Sequence, residues 1–207
     1  MKKKVIIVGS GGLGREVYSW LTHEDSAYEP IGFISDDFSS LDKYDYPVKV
    51  IDSIANFKPI DNVSLIMAIM DPIGKKYVYD LLLSKGMVFD TFIHPTVVLG
   101  RNIIIGNGSV ICPNCILTCD IQLGDGVFLN TATTLGHDVS IGDFSSLNGK
   151  VEVSGWVKIS SVVTIGSRAL ILPKKKIGEG STIGAGSVVV GNVKQNITVF
   201  GNPAKRI

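Results

Sequence analysis

Long hydrophobic runs are missing from this sequence, and so is a segment typical of export. Crossing a bilayer takes roughly 20 consecutive apolar residues, whereas the apolar stretch at residues 63–70 (VSLIMAIM) has the length of a buried strand. The first residues, MKKKVIIVGS, lack the apolar core and the small-residue cleavage site of a secretory signal. We therefore expect a soluble cytoplasmic protein without a membrane span.

An excess of charge of either sign is also missing, and aromatic residues are scarce. The 207 residues include 20 Lys plus Arg and 19 Asp plus Glu, a balance that argues against nucleic acid as a partner and against a charge-held membrane surface. Aromatic residues make up 8% of the chain, whereas 45% is hydrophobic and 23 residues are glycine. This composition excludes a disordered chain and indicates a core with many turns.

Cysteine is rare as well, with only Cys112, Cys115 and Cys119 in the chain. Three cysteines this close together do not form a disulfide framework. Their spacing resembles a zinc site, but they fall at different places of the repeat described next and do not converge. We expect them to pack in the core, and we expect no metal.

A six-residue repeat dominates the sequence from Leu99 onward. Every sixth position from Leu99 to Val189 is Leu, Ile or Val, and we call these positions the inward column. The residue after an inward position is often glycine, as at positions 100, 106, 124, 136, 142, 166, 178 and 184. Four places after an inward position the residue is mostly small or β-branched.

This period fits neither an amphipathic helix nor a plain alternating strand, but it fits a short strand followed by a corner. We attribute the glycines to corners with positive φ. Three units close one triangular coil of 18 residues, so residues 99–188 predict five stacked coils of a hexapeptide-repeat parallel β-helix. The spacing alone does not fix its hand.

The first 90 residues follow a different pattern, in which strands alternate with helices. VIIVGSGGLGREVYSWL predicts a buried strand, a Gly-rich turn and a helix with Val17, Trp20 and Leu21 on one side. Further strands are expected at residues 31–37 and 63–70, and a helix at residues 72–83. This order indicates a small parallel α/β domain over residues 1–92, followed by the β-helix domain over residues 93–207.

The Gly-rich turn is the first candidate binding site. Residues 9–14 (GSGGLG) match the dinucleotide fingerprint, and Asp36 and Asp37 end the next strand. Bare backbone at a helix start allows a phosphate to approach the amides. NAD, a nucleotide sugar diphosphate, and a turn that needs glycine only for packing all fit this pattern; the NAD interpretation is weakened by the shortness of the domain.

His137 is the main catalytic candidate among three histidines. His23 lies in a polar loop and His94 precedes Pro95 at the domain junction, so solvent or structural roles explain both. His137 follows the corner Gly136 at an outward-facing place, with Asp138 next to it. A carboxylate orients a neighbouring imidazole, and histidine serves as a general base near neutral pH. Simple exposure of the side chain is the alternative.

Three consecutive lysines, Lys174, Lys175 and Lys176, interrupt the repeat, since Lys175 falls where a small residue is usual. A solvated bulge is the expected structure here. Contact with phosphates of a long cofactor is the functional alternative, and the sequence does not decide between them.

Four segments together resemble one family. They are GSGGLGRE at the Gly-rich turn, FISDD after the second strand, LNTATTLGHD on the repeat and the terminal GNPAKRI. The chain is similar over essentially its whole length to the NeuD/PglD-type sugar acyltransferases. The resemblance implies an α/β Rossmann-like subdomain followed by a left-handed parallel β-helix. It also implies a homotrimer that uses acetyl-CoA, with active sites between neighbouring subunits.

The resemblance also assigns roles to residues. The general base falls on His137 and its acidic neighbour on Asp138, and a backbone N–H near Gly155, one coil later, is expected to stabilise the oxyanion. Contacts with the nucleotide sugar fall on Gly11, Gly12, Leu13, Asp36, Asp37 and Met70. Contacts with acetyl-CoA fall on Ser146, Ser167 and Ala185.

Two departures from the family pattern leave the substrate open. Leu13 replaces a histidine that is common in this turn, and Ser146 stands where some amino-sugar enzymes have a second histidine. We expect acetylation of an amino or hydroxyl group on a UDP-, GDP- or dTDP-linked sugar, within polysaccharide or glycan biosynthesis. The alternatives are O-acetylation of sialic acid or a related free sugar, and a trimeric scaffold that binds a nucleotide sugar without catalysis.

Overall fold

The computed structural model describes residues 2–24 and 26–207. The chain divides into two compact units, Met1–Met70 with Gly74–Asp90, and Asp71–Ile73 with Thr91–Ile207. The first is an α/β unit and the second is a parallel β-helix.

The α/β unit is built on a four-stranded parallel sheet. Its elements are β1 (Lys3–Val8), α1 (Gly12–Leu21), β2 (Tyr28–Ile34), β3 (Val50–Asp52), β4 (Ser64–Met67) and α2 (Pro72–Ser84). The strand order is β3-β2-β1-β4, with β1 paired to both β2 and β4. Because β1 is central and buried on both faces, its last four residues are the continuous apolar run VIIV. This arrangement confirms the Rossmann-like prediction.

Three details of this unit differ from the sequence prediction. The second strand begins earlier, at Tyr28, and β3 was not predicted. In α1 the buried aromatic residue is Tyr18 rather than Trp20, because Tyr18 packs edge-on against Tyr46, with the ring centroids 5.0 Å apart. Tyr46 lies in a loop, so the helical pattern gave no sign of this contact.

The second unit is a stack of short strands joined by corners. The strands are β5 (Phe92–Ile93), β6 (Val98–Ile105), β7 (Val110–Ile111), β8 (Ile116–Leu123), β9 (Phe128–Leu129), β10 (Thr134–Leu135), β11 (Ser140–Ile141), β12 (Ser146–Leu147), β13 (Glu152–Val153), β14 (Lys158–Ile159), β15 (Thr164–Ile165), β16 (Leu170–Ile171), β17 (Lys176–Ile177), β18 (Thr182–Ile183), β19 (Val188–Val189), β20 (Thr198–Phe200) and β21 (Lys205–Arg206). Strands one coil apart pair in parallel, so Leu117, Leu135 and Val153 are successive partners.

The inward column forms the core of the β-helix. From Ile111 to Val189 its side chains are all buried in one apolar cluster. The same cluster contains residues four places after an inward position, such as Val127 and Val139. The first two members are exceptions, since Leu99 is 44% exposed and Ile105 is only partly buried. The stacking begins earlier than predicted, at β5. The last coil is shorter than the regular 18 residues, since Thr182 pairs with Thr198.

The predicted reason for the corner glycines was wrong. None of the glycines that follow inward residues has a positive φ; the left-handed residues lie two places further on and include Asp138 and Trp156. Glycine is needed after the inward residue because successive coils approach closely there. A Cβ on Gly100 would lie 1.4 Å from the carbonyl oxygen of Thr118, and one on Gly136 would lie 2.7 Å from the amide nitrogen of Gly155.

The three lysines do not form the expected bulge. Lys176 and Ile177 pair in register with Lys158 and Ile159, so the period continues unbroken. Lys175 is half-buried at the place of a small residue, and its carbonyl accepts the Lys158 amide. In the described part of the chain, neither helix is long and apolar enough to span a bilayer.

Candidate functional site

The Gly-rich turn lies at the carboxyl edge of the α/β sheet, between β1 and α1. Two of its glycines are required by the fold. Gly9 has a φ of +101°, and a Cβ on Gly14 would lie 2.1 Å from the Gly9 carbonyl oxygen. The close approach of Gly9 and Gly14 allows the helix to begin directly after the strand.

Gly11 and Gly12 are not explained by packing. A Cβ on either of them would meet no atom of the described chain within 4 Å. Gly11 is the N-cap of α1, and within the described residues no side chain caps this end and no acidic residue lies in the first turn. The first amides of α1 therefore face open space, which is the arrangement that binds an anionic group at a helix start.

The two acidic residues lie in the loop after β2 and are held by local hydrogen bonds. The Asp36 carboxylate accepts the Ile54 amide at 3.1 Å, and Asp37 accepts the amide and hydroxyl of Ser39 at 3.0 and 2.8 Å. Asp37 and Gly11 line one cavity of about 300 Å³, so the structure brings these two predicted residues together. Asp36, Leu13 and Met70 do not line it, although Met70 is exposed.

The same cavity contains residues that sequence reasoning missed. Arg15, Lys43 and Tyr44 line it, and the Arg15 guanidinium carbon lies 3.8 Å from the centroid of the Tyr44 ring. Arg15 belongs to the GREV segment. A basic residue one turn into the helix could have been recognised from the sequence as a candidate for the binding site. Tyr44 lies in a loop of irregular structure, and no sequence pattern links it to the turn.

His137 lies at a corner of the β-helix, between β10 and β11. It shares one column with residues one coil away on either side, and we call Cys119, His137 and Gly155 the histidine column. The imidazole is 46% exposed, and its Nδ1 lies 2.8 Å from Oδ2 of Asp138. This contact orients the ring through Nδ1 and leaves Nε2 as the nitrogen that can accept a proton from a substrate.

Gly155 lies against Nε2 on the next coil. A Cβ built on Gly155 would come within 2.7 Å of Nε2, so a larger residue here would displace the imidazole from this position. The Gly155 amide donates to no acceptor within residues 2–24 and 26–207. A free N–H beside a candidate base is the geometry expected of an oxyanion site.

A second column runs beside the first, and we call Asp120, Asp138, Trp156 and Lys174 the corner column. All four have left-handed backbones, with φ between 57° and 63°. The Trp156 ring lies perpendicular to the imidazole, at an interplanar angle of 86° and a centroid distance of 4.3 Å. The Lys174 ammonium lies 5.2 Å from the Trp156 ring centroid. The sequence did not assign Trp156 to the site, and it offered Lys174 only as an alternative contact with the phosphates of a cofactor.

Asp120 adds a carboxylate on the coil that precedes His137. Asn102 donates a hydrogen bond to it at 2.8 Å, and this bond, helped by one from Cys119, holds the pKa of Asp120 below its usual value. The same carboxylate raises the pKa of the Cys119 thiol. Cys119 therefore stays protonated near neutral pH, which argues against a nucleophilic role beside His137.

The residues expected to contact acetyl-CoA are not all on the surface. Ser167 and Ala185 are exposed and stacked one coil apart, since the Gly186 amide donates to the Ser167 carbonyl at 2.9 Å. Ser146 is only 1% exposed. Because its side chain is enclosed, the surface contact expected of Ser146 is not available in this structure.

The other two cysteines, Cys112 and Cys115, pack in the interior. Cys112 and Cys115 are fully buried, and burial raises the pKa of Cys115 to about 11. In the residues that the structure describes, no three histidine, cysteine or acidic side chains cluster as metal ligands.

Comparisons with known proteins agree with this architecture. Residues 4–82 match the family model of the PglD N-terminal domain. A search of curated proteins gave no match. The acetyltransferase domain of PglB from Neisseria gonorrhoeae FA1090, solved in complex with acetyl coenzyme A, is 27% identical, with a TM-score of 0.89 and 100% of both chains covered.

Two further solved structures are similar over nearly the full length. WeeI from Acinetobacter baumannii AYE is 26% identical, with a TM-score of 0.85 and 98% of this chain and 99% of that chain covered. PerB from Caulobacter crescentus, in complex with CoA and GDP-perosamine, is 23% identical, with a TM-score of 0.87 and 99% and 97% covered. The match to PerB concerns the fold alone.

These matches also fix the hand that the spacing left open, because the fold is that of the left-handed β-helix acetyltransferases. The α/β unit matches the N-terminal family, and the whole chain matches the acetyltransferase structures. The α/β unit therefore belongs to the PglD N-terminal domain family, and the chain is an acyltransferase whose matches support the NeuD/PglD-type sugar acyltransferase family.

Proposed function

We propose that this protein transfers the acetyl group of acetyl-CoA directly to an amino or hydroxyl group of a nucleotide-linked sugar, with His137 as the general base. One observation carries the proposal. The imidazole is held through Nδ1 by Asp138 at 2.8 Å, while Nε2 faces Gly155, whose amide is free within the described residues. A base and an oxyanion donor therefore lie side by side.

The reaction follows from this geometry. Nε2 of His137 takes the proton as the sugar nitrogen or oxygen attacks the carbonyl carbon of the thioester. The Gly155 N–H hydrogen-bonds the carbonyl oxygen as it becomes an oxyanion, and Asp138 stabilises the imidazolium. When the C–S bond breaks, CoA leaves as a thiolate that takes the proton from His137, which restores the neutral base. The acetylated sugar and CoA are the products.

Acetyl-CoA is placed along the outside of the β-helix, parallel to its axis. Ser167 and Ala185 follow one another along one corner of the stack, and Gly155 lies at another corner, in the histidine column; these three residues are the contacts we propose. Ser146 is enclosed, so we assign it no direct contact through its side chain. Lys174 and Lys176 are exposed and lie on the same coil, where an ammonium group can pair with a phosphate of CoA.

The α/β unit is proposed to hold the nucleotide part of the sugar substrate. The free amides at the start of α1 suit a diphosphate, and the space around Gly11 and Gly12 allows it to approach. Asp37 is placed to accept hydrogen bonds from a ribose or base at the cavity that it shares with Gly11. Asp36, Leu13 and Met70 remain proposed contacts at the same sheet edge. PerB, which shares this fold, was solved with GDP-perosamine, and we propose a nucleotide sugar as the substrate class here.

Acetyl transfer is tested with the full chain, acetyl-CoA and a panel of UDP-, GDP- and dTDP-linked amino sugars, with sialic acid as the free-sugar alternative. Mass spectrometry identifies the acetylated product and the acceptor atom. His137→Ala is expected to lower kcat by about 10²–10⁴-fold because the base is lost. His23→Ala, which removes an exposed histidine elsewhere, is the matched control.

A His137→Ala variant with kcat within about threefold of the wild type contradicts the assignment of the base. Binding of a nucleotide sugar without release of CoA, across the whole panel, supports the scaffold alternative and contradicts an enzymatic role. Acetylation of free sialic acid in preference to every nucleotide sugar contradicts the proposed substrate class.

A further inference from the structure

A half-exposed imidazole needs more than one hydrogen bond to keep a fixed orientation. The Asp138 carboxylate that binds Nδ1 is itself 44% exposed and sits on the adjacent residue, so both side chains can rotate together. Catalysis by a general base depends on the position of the proton acceptor, and a displacement of about 1 Å can cost about 10²-fold in rate. Some other contact must hold the ring.

The Trp156 ring is in contact with that imidazole. It lies perpendicular to it with the centroids 4.3 Å apart, which is the favoured edge-to-face geometry for aromatic pairs. The backbone supports this contact, because the Trp156 amide donates to the His137 carbonyl at 3.0 Å. The two residues are therefore linked through the main chain and through their rings.

Two features indicate that Trp156 is not simply a packing residue. Its side chain is 50% exposed, so it adds little to the core. Its φ of 58° lies in the left-handed region, as at the other corners of the β-helix, and the preceding members of the corner column are aspartates, so this backbone position does not itself require an aromatic side chain. Lys174, one coil further, places its ammonium 5.2 Å from the Trp156 ring centroid, a cation–π contact to the same ring.

We propose that Trp156 is a positioning residue that fixes the His137 imidazole with Nε2 beside the Gly155 amide. The inference rests on the proposed function, since it concerns the base of that reaction. Trp156 acts through His137 and needs no contact with the substrate. An aromatic ring at this position is required, and an aliphatic side chain of similar bulk does not replace it.

The kinetic test compares Trp156→Leu with Trp156→Phe. Leu retains apolar bulk without a ring, and we expect kcat to fall by about tenfold or more because the imidazole loses its orientation. KM for acetyl-CoA is expected to change little. Phe retains the edge-to-face contact and is expected to keep kcat within about threefold of the wild type. Lys150→Ala, at an equivalent left-handed corner with φ 61°, is the matched control.

An NMR measurement makes the positioning testable apart from turnover. The His137 ring protons of the free protein should show a ring-current shift from Trp156 that is retained in Trp156→Phe and lost in Trp156→Leu. If the wild type is active and Trp156→Leu keeps full kcat, the inference is overturned while the proposed function stands. If the wild type does not acetylate any sugar, the proposed function fails, and unchanged His137 signals in Trp156→Leu overturn the positioning role separately.

Discussion

At the scale of single residues, the β-helix assigns different chemistry to outward and inward positions only a few residues apart. His137 is outward, partly solvated and oriented by Asp138. Cys115 is inward, and its Sγ lies 3.2 Å from the carbonyl oxygen of Asn130. A titratable group on the inside cannot be charged without exposing it to water, so its pKa depends on the fold.

Cys115 therefore makes stability depend on pH in the alkaline range. Burial raises the pKa of its thiol from 9.0 to about 11, so the folded chain keeps a proton that the unfolded chain loses. Its contribution to stability is fully present below pH 9.0 and is lost as the pH rises through about 11. The loss is at most about 3 kcal/mol, at about 1.4 kcal/mol for each pKa unit.

Urea unfolding at a series of pH values from neutral to strongly alkaline measures this effect. Cys115→Ala should be less stable at every pH but should lose part of the alkaline decline. Val127→Ala makes a similar cavity in the same core and should decline as the wild type does. An identical alkaline decline in Cys115→Ala and the wild type would show that this thiol does not titrate as described.

At the scale of elements, the turn between β1 and α1 separates structural glycines from glycines that leave space for a ligand. A Cβ on Gly14 would overlap the Gly9 carbonyl oxygen, so a side chain at Gly14 would force the strand and helix apart. Gly12 has no neighbour within 4 Å of its missing Cβ in the described chain. The same residue type thus has two different roles, two positions apart.

Alanine substitutions at these two glycines should have opposite effects. Gly14→Ala is expected to lower the free energy of unfolding by about 1–3 kcal/mol or more, because the new methyl group overlaps a carbonyl oxygen. Gly12→Ala is expected to stabilise the helix by about 0.5–1 kcal/mol. It should weaken nucleotide-sugar binding by occupying the space in front of the α1 amides.

Thermal unfolding and calorimetric titration with the preferred nucleotide sugar measure the two effects. Each variant is the control for the other, since they differ only in where the methyl group points. Unchanged affinity in Gly12→Ala would mean that the nucleotide sugar does not approach this turn.

At the scale of the whole molecule, exposed apolar side chains bear on how copies of the chain assemble. Val98 and Ile116 are Cα partners on β6 and β8, and both side chains are exposed. Adjacent exposed apolar side chains are typical of a surface that contacts another chain. We propose a homotrimer, as the family resemblance implies, with this surface at the interface between subunits.

Light scattering should give a mass three times the 22.2 kDa of one chain. Ile116→Glu should weaken the trimer, because a carboxylate would be buried at the interface. Val190→Glu, a similar change at another exposed position, should leave the mass unchanged. A wild-type mass of 22.2 kDa would contradict the trimer, and an intact trimer in Ile116→Glu would place its interface elsewhere.

The sequence by itself determined the period-6 β-helix, the α/β unit before it and His137 with Asp138 as neighbours, because these depend on residue spacing along the chain. The tertiary structure alone decided what lies across a coil or a loop: Gly155 against Nε2, Trp156 against the imidazole, and Tyr44 against Arg15. It also showed that Ser146 is enclosed and that the corner glycines serve close approach rather than positive φ. Contacts between residues distant in sequence depend on how the coils stack, and a repeat fixes the period of that stacking but not which side chains meet.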